Sequence, residues 1–358
     1  MSRGAVVAGL ALALFAGPMA LRAADFPDVH PGATVRFPDD EGAHPDFRTE
    51  WWYVTGWLET RAGAPLGFQL TFFRTRPTLE QANPSAFAAH QVLIAHAALS
   101  DPARGRSLHG ERIARQGFGL AAAATGRTDV VLGDWRLVAA DGAFEAVVNA
   151  EDFTLTLSLA RRAAPMLNGL GGYSQKGPAA TSASWYYSIP GLRVTGRVRR
   201  AGVSEPVTGE AWLDHEWSSA YLDADSVGWD WVGLNLSDGG ALMAFRIRDA
   251  AGRSRWAGGT WRAPDGTVRV LAPSELEFRP GRRWRSPRTA IAWPVEWRIS
   301  AGPFDVTLTP LIDDQESDSR LTTGAVYWEG AVTARTPAGL LGRGYLELTG
   351  YGEPLKLR

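Results

Sequence analysis

The sequence predicts an all-β protein, a barrel or a sandwich, built from two similar antiparallel β units in tandem. Three observations carry this. Short runs rich in β-branched and aromatic residues recur along the chain, Gly, Pro and Asp clusters separate them, and one hairpin pattern occurs twice. Composition agrees: 15 Trp, 40 Gly and 22 Pro among 358 residues describe a turn-rich chain with aromatic faces. That length accommodates two domains.

The elements follow in order. Residues 1–24 have a signal-peptide layout: Arg3, an apolar run from Ala5 to Ala16, the Gly17-Pro18 break, and Ala23-Ala24 for cleavage. The run is shorter than the roughly 20 residues of a membrane span, so export, to the periplasm or the exterior, is expected, with no stable span after cleavage. Glu50 to Leu58 reads as a strand, 61–65 as a turn, and Leu66 to Arg74 as its hairpin partner. A helix is expected near Leu79 to Ala89. Further strands are expected at 91–99, 130–138, 146–149, 154–159 and 186–199.

The repeat pairs Trp51-Trp52-Tyr53-Val54 and its return run Gly67 to Arg74 with Trp229-Asp230-Trp231-Val232 and Gly240 to Arg246. Both halves give Trp-x-aromatic-Val, a nearby Gly, a turn and an aromatic–Arg ending. The expected division is a signal peptide at 1–24, an N-terminal β domain at 25–208 and a C-terminal β domain at 209–358.

Composition excludes several function classes. Lys and Arg number 37 against 38 Asp and Glu, which argues against a nucleic-acid partner. Cysteine is absent, removing disulfides, thiolate nucleophiles and thiolate metal sites. Six scattered His show no ligand spacing, so no metal and no cofactor is expected. The glycine-rich stretch 168–178 is not placed between a strand and a helix. In it, Lys176 replaces the closing Gly of a nucleophile elbow, so it reads as a loop at a barrel mouth. Arg-rich 281–288 and acidic 313–318 each read as solvated turns.

The strongest chemical candidate is the segment Gly209 to Ser219. In an extended chain Leu213, His215 and Trp217 face one way, and Trp212, Asp214 and Glu216 the other. His215 on an inward face would exchange protons in an apolar chamber, and Asp214 or Glu216 would do so if their face lines the cavity. The alternative makes His215 a structural histidine and the acids partners of arginines. Glu50-Trp51-Trp52-Tyr53 covers both strand faces with rings, either lining a cavity or packing a core.

Several stretches together resemble one family. They are Glu50-Trp51-Trp52-Tyr53, Tyr186-Tyr187-Ser188, Ala211-Trp212-Leu213-Asp214-His215-Glu216-Trp217, Gly228-Trp229-Asp230-Trp231 and Tyr345 to Tyr351. The family comprises carotenoid 1,2-hydratase (hydroxyneurosporene synthase) and the secreted AttH-type proteins labelled predicted hydrolases. The resemblance implies two tandem lipocalin-like barrels, although the Gly-x-Trp signature of true lipocalins is missing. It also implies relatives acting on polyketide-like or isoflavonoid substrates. In the hydratases a His-x-Trp pair and a following Tyr-x-Asp are implicated, the Asp protonating an alkene. His215 and Trp217 match the pair, whereas the run Ala241 to Arg246 holds no carboxylate.

The resulting expectation is a secreted protein that binds an apolar, isoprenoid- or lipid-like ligand between two barrels, with hydratase or hydrolase chemistry. Catalytic candidates are His215, Asp214 and Glu216. Substrate-binding candidates are Trp217, Glu50, Trp51, Tyr53, Trp229 and Trp231. Two alternatives remain open: a non-catalytic envelope carrier or chaperone with transport partners, and an exposed Trp row that stacks on sugars.

Overall fold

The computed structural model describes residues 26–78 and 81–355, so the expected signal segment falls outside the described residues. Strands of 49–220 form one antiparallel sheet of thirteen, and strands of 228–348 a second of ten. Each curls into a nearly closed barrel. The only helical elements among the described residues are the 3-10 turns Asp39–Glu41 and Pro273–Glu275. The helix expected near 79–89 does not form over its described part, which is turn and loop. There Asn83 Oδ1 accepts the Ser85 N–H at 3.0 Å, a local bond that competes with helix.

The internal repeat reappears as shared connectivity. In the first sheet Thr49–Thr60 pairs with its hairpin partner Pro65–Thr75 and with the last strand, Val203–Ala220. In the second sheet Gly228–Leu236 pairs with Ala241–Arg248 and again with the last strand, Gly339–Leu348. An acid–arginine pair ties each hairpin: Glu50 Oε2 to Arg74 Nε at 2.7 Å, and Asp230 Oδ2 to Arg246 Nε at 2.6 Å. The expected boundary at 208/209 falls inside Val203–Ala220, which is paired on both sides within the first sheet. The chain passes to the second sheet between residues 221 and 227.

Two local expectations change. The single strand expected at 130–138 is a hairpin, Asp129–Leu132 and Trp135–Ala140, because Gly133 at φ +62° reverses the chain. The basic and acidic loops are not separate solvated turns. Arg282 grips Asp313 at 2.6 and 2.7 Å, and Arg288 grips Asp314 at 2.6 Å twice. Beneath them buried Glu316 accepts hydrogen bonds from Ser286, Thr289 and Trp293.

Each barrel is filled by alternate side chains. Trp52, Val54, Phe68, Leu70 and Phe72 belong to the first core, and Val232, Leu234, Trp297, Trp328 and Leu346 to the second. A third apolar cluster, including Tyr53, Trp57, Trp212, Trp231, Phe245 and Tyr345, joins the outer faces of the two barrels. The approach is close enough that a Cβ on Gly67 would stand 2.7 Å from the Ala331 methyl. Hydrogen bonds also cross, with Trp57 Nε1–H donating to the Gly344 carbonyl at 3.0 Å. Central strands are therefore covered on both faces, and residues 211–218 are all buried.

Candidate functional site

Strand parity sorts the predicted residues into two groups on opposite sides of one sheet. The register pairs Glu50 with Trp217, Trp51 with Glu216, Trp52 with His215 and Tyr53 with Asp214. Trp51, Tyr53, Asp214 and Glu216 point to the second barrel, where Trp229 and Trp231 meet them. Those six line a cavity of about 90 Å³ between the barrels. His215, Trp217 and Glu50 lie inside the first barrel instead and do not line it.

The interior group is a closed electrostatic network. The Glu50 carboxylate receives Arg74 Nε at 2.7 Å and His215 Nε2 at 2.8 Å, and His44 supplies its Nδ1 at 2.8 Å and its N–H at 2.9 Å. Tyr187 Oη lies 3.0 Å from the other His215 nitrogen, and Trp52 stacks on the ring at 4.7 Å. Trp217 stacks on His44 at 3.7 Å. Burial opposes charge on Glu50, yet the His215 and His44 bonds and the Arg74 charge hold its carboxyl far below the usual range. Burial depresses His215 against its Glu50 bond, keeping it neutral at neutral pH. For His44 burial also pulls downward, but bonds to Asp40 and Glu50 outweigh it and raise the imidazole. His44, Glu50 and His215 place ligand atoms within 4.8 Å of one another. The Arg74 guanidinium already occupies that carboxylate, and its charge opposes a second cation. The set reads as a structural network, the alternative that the sequence left open for His215.

The cavity group has different chemistry. Trp51 stacks between Tyr221, at 4.6 Å, and Trp229, at 6.3 Å, forming an aromatic wall. Asp214 is 3% exposed and accepts three hydrogen bonds: Ser188 Oγ–H at 2.5 Å and Trp212 Nε1–H at 2.6 Å on Oδ1, and Tyr186 Oη–H at 2.8 Å on Oδ2. Trp231 Nε1–H in turn donates to Tyr186 Oη at 2.9 Å. Burial nevertheless dominates and raises the Asp214 carboxyl to about 7, where a carboxylic acid exchanges protons at neutral pH.

Sequence reasoning missed four cavity groups that complete this chemistry. Lys176, from the glycine-rich loop, reaches Glu216 Oε1 at 2.9 Å while lying over the Tyr186 and Phe245 rings. Burial pulls its ammonium below the usual lysine range. Tyr186 stood in a block quoted for the family resemblance but received no role. Glu329 and Glu347 sit on the second barrel's outer face, and burial raises both, Glu347 to about 8. Their signal in the sequence was an acid on an alternating strand, which normally marks a solvated face. Tyr53 Oη, Tyr221 Oη and Glu329 Oε2 are buried without hydrogen-bond partners. All three residues line the cavity and bring hydrogen-bonding capacity to a bound molecule or water.

Comparison with known structures reaches the same architecture. An AttH-designated protein of Nitrosomonas europaea superposes with a TM-score of 0.85 at 53% identity, covering 91% of this chain and 100% of its own. Kievitone hydratase from Nectria haematococca gives a TM-score of 0.68 at 16% identity, covering 92% of this chain and 98% of its own. CghA gives 0.55 at 14% identity, covering 92% and 96%. The last two identities speak for a shared fold alone. Comparison with curated proteins returns no match. The AttH-like family model matches residues 28–351, and the chain therefore belongs to the AttH-like family.

Proposed function

We propose that this protein binds an apolar ligand between its two barrels and transfers a proton to it from Asp214. The observation that carries the reading is a buried carboxyl, held by three donors and raised to about 7, inside an aromatic-walled cavity. Apolar cavities with a few convergent polar groups are the usual small-molecule sites. Asp214 Oδ2 accepts one protein bond against two on Oδ1, so Oδ2 has the spare lone pair for the mobile proton.

On an electron-rich alkene, the Asp214 proton would form a new C–H bond and leave a carbocation. The stacked aromatic wall of Tyr221, Trp51 and Trp229 favours positive charge beside it. Water or an internal oxygen then closes the cation and releases a proton, which Asp214 recovers. Glu216, fixed by Lys176 and Ser184, orients that nucleophile. Hydration of a carotenoid is the narrowest form of this reading and is supported by the sequence resemblance. The apolar segment 5–16 supports export, which cell fractionation would test.

The test uses molecules that co-purify with the protein, together with lycopene and neurosporene. Wild type is expected to convert one of them, and Asp214→Asn to lose about 10²–10⁴-fold in turnover while keeping affinity within about threefold. Full turnover by that variant would overturn the acid assignment. Recovery of a tightly bound molecule that wild type leaves unchanged would favour the carrier reading instead.

A further inference from the structure

We propose that Glu329 and Glu347 form a subsite for the ammonium group of an amphiphilic amine, at the mouth of the same cavity. The inference rests on that cavity being an apolar-ligand site and specifies the head group it takes. The two glutamates are register partners on adjacent strands, Ala325–Thr336 and Gly339–Leu348, so their side chains leave the sheet side by side. Both line the inner cavity and an adjoining hollow of about 600 Å³, which share Thr49, Phe73 and Trp229. A head group here would have the inner aromatic chamber on one side and room for a chain on the other.

The site keeps free hydrogen-bonding capacity at Glu329 and Tyr53. Glu329 is 4% exposed, and its Oε2 has no partner. Tyr53 Oη, on the first barrel's wall of the same cavity, is likewise buried and unpartnered. Among the described residues no cation contributes to the electrostatics of either glutamate. The Trp229 indole N–H donates to Glu347, and the charged neighbours of the pair are each other, Asp214 and Glu216. The phenols of Tyr53 and Tyr327 also face the pair. Two adjacent carboxyls, Glu329 buried and Glu347 half-buried, resist ionising together without a counter-charge. A primary ammonium supplies one positive charge and three N–H donors, which match two carboxylates and a phenol oxygen.

The other end of the cavity already shows this recognition. Lys176 Nζ lies 2.9 Å from Glu216 Oε1, with the Tyr186 and Phe245 ring centroids at 4.7 and 4.2 Å. The Glu329–Glu347 end repeats acid and aromatic without a cation of its own. Burial raises both carboxyls above the usual range, so an arriving ammonium favours the loss of a proton from the pair.

Calorimetric titration with decylammonium, decanol and decyl sulfate, in two buffers of different ionisation enthalpy near pH 7, tests this. Decylammonium is expected to bind at least about tenfold more tightly than decanol, with proton release, and decyl sulfate most weakly. Glu329→Gln and Glu347→Gln, which mimic the protonated acids, are expected to erase the preference for amine over alcohol and the proton release. Equal binding of amine and alcohol, or a preference that survives both variants, would overturn the subsite and leave the apolar cavity standing. Failure of every probe to bind would overturn both.

Discussion

Replacing Asp214 with Asn changes how stability responds to pH, and the size follows from the site. Burial lifts this carboxyl from 3.8 to about 7 in the folded chain. An acid raised on folding is bound to its proton more tightly in the native state. Its ionisation therefore costs stability as pH rises from the unfolded value through the folded one. That interval corresponds to about 4 kcal/mol, present as a penalty at about pH 8 and absent at about pH 3. Asn carries no proton to lose and stands in for the neutral acid. The difference in unfolding free energy between wild type and Asp214→Asn should therefore drift by about 4 kcal/mol against wild type across that range. Urea unfolding followed by tryptophan fluorescence, at pH steps between these limits, measures it. Comparing slopes removes the constant effect of altered hydrogen bonds to Ser188, Trp212 and Tyr186. A difference that stays within about 1 kcal/mol over the whole range would refute the claim that burial raises the Asp214 carboxyl to about 7.

Two further outcomes separate the interior network from the cavity. Glu50→Gln leaves the Arg74 guanidinium without its buried counter-charge and should destabilise the fold by about 3–5 kcal/mol in denaturant unfolding. A loss below about 1 kcal/mol would show that the network is not holding the barrel. His215→Ala empties the space between Trp52 and Trp217 and should cost about 2–4 kcal/mol, while ligand affinity and turnover of the folded protein stay within about twofold. Abolished turnover in a variant shown to be folded would return His215 to the catalytic machinery.

Much of the fold was legible because hairpins announce themselves locally. The Glu50–Leu58 and Leu66–Arg74 pattern needs only β-branched and aromatic runs with a turn between them, and its echo at 229–246 exposed the tandem build. The split of Leu213, His215 and Trp217 from Asp214 and Glu216 also followed from period-two geometry. What the sequence could not reveal is which face meets the other barrel. Residues 211–218 are buried on both sides, so the usual contrast between wet and dry faces is missing there. His215 was favoured as an active group on residue type, but the barrel interior holds it in a bonded, stacked position. Glu329 and Glu347 pair across a single hairpin of the second barrel, and only the docking of that barrel on the first brings Lys176 and Asp214 to the same cavity. The salt links between 281–288 and 313–318 were hidden for the same reason: each loop alone looks like an ordinary charged turn.

The account places the ligand between the barrels, outside both β cores. A crystal structure of the protein with a bound apolar molecule measures this directly. Density in the inter-barrel cavity, against the wall of Trp51 and Trp229 and within hydrogen-bonding reach of Asp214 or Glu216, is the predicted result. Density within the first barrel beside His215, with the inter-barrel space empty, would contradict it.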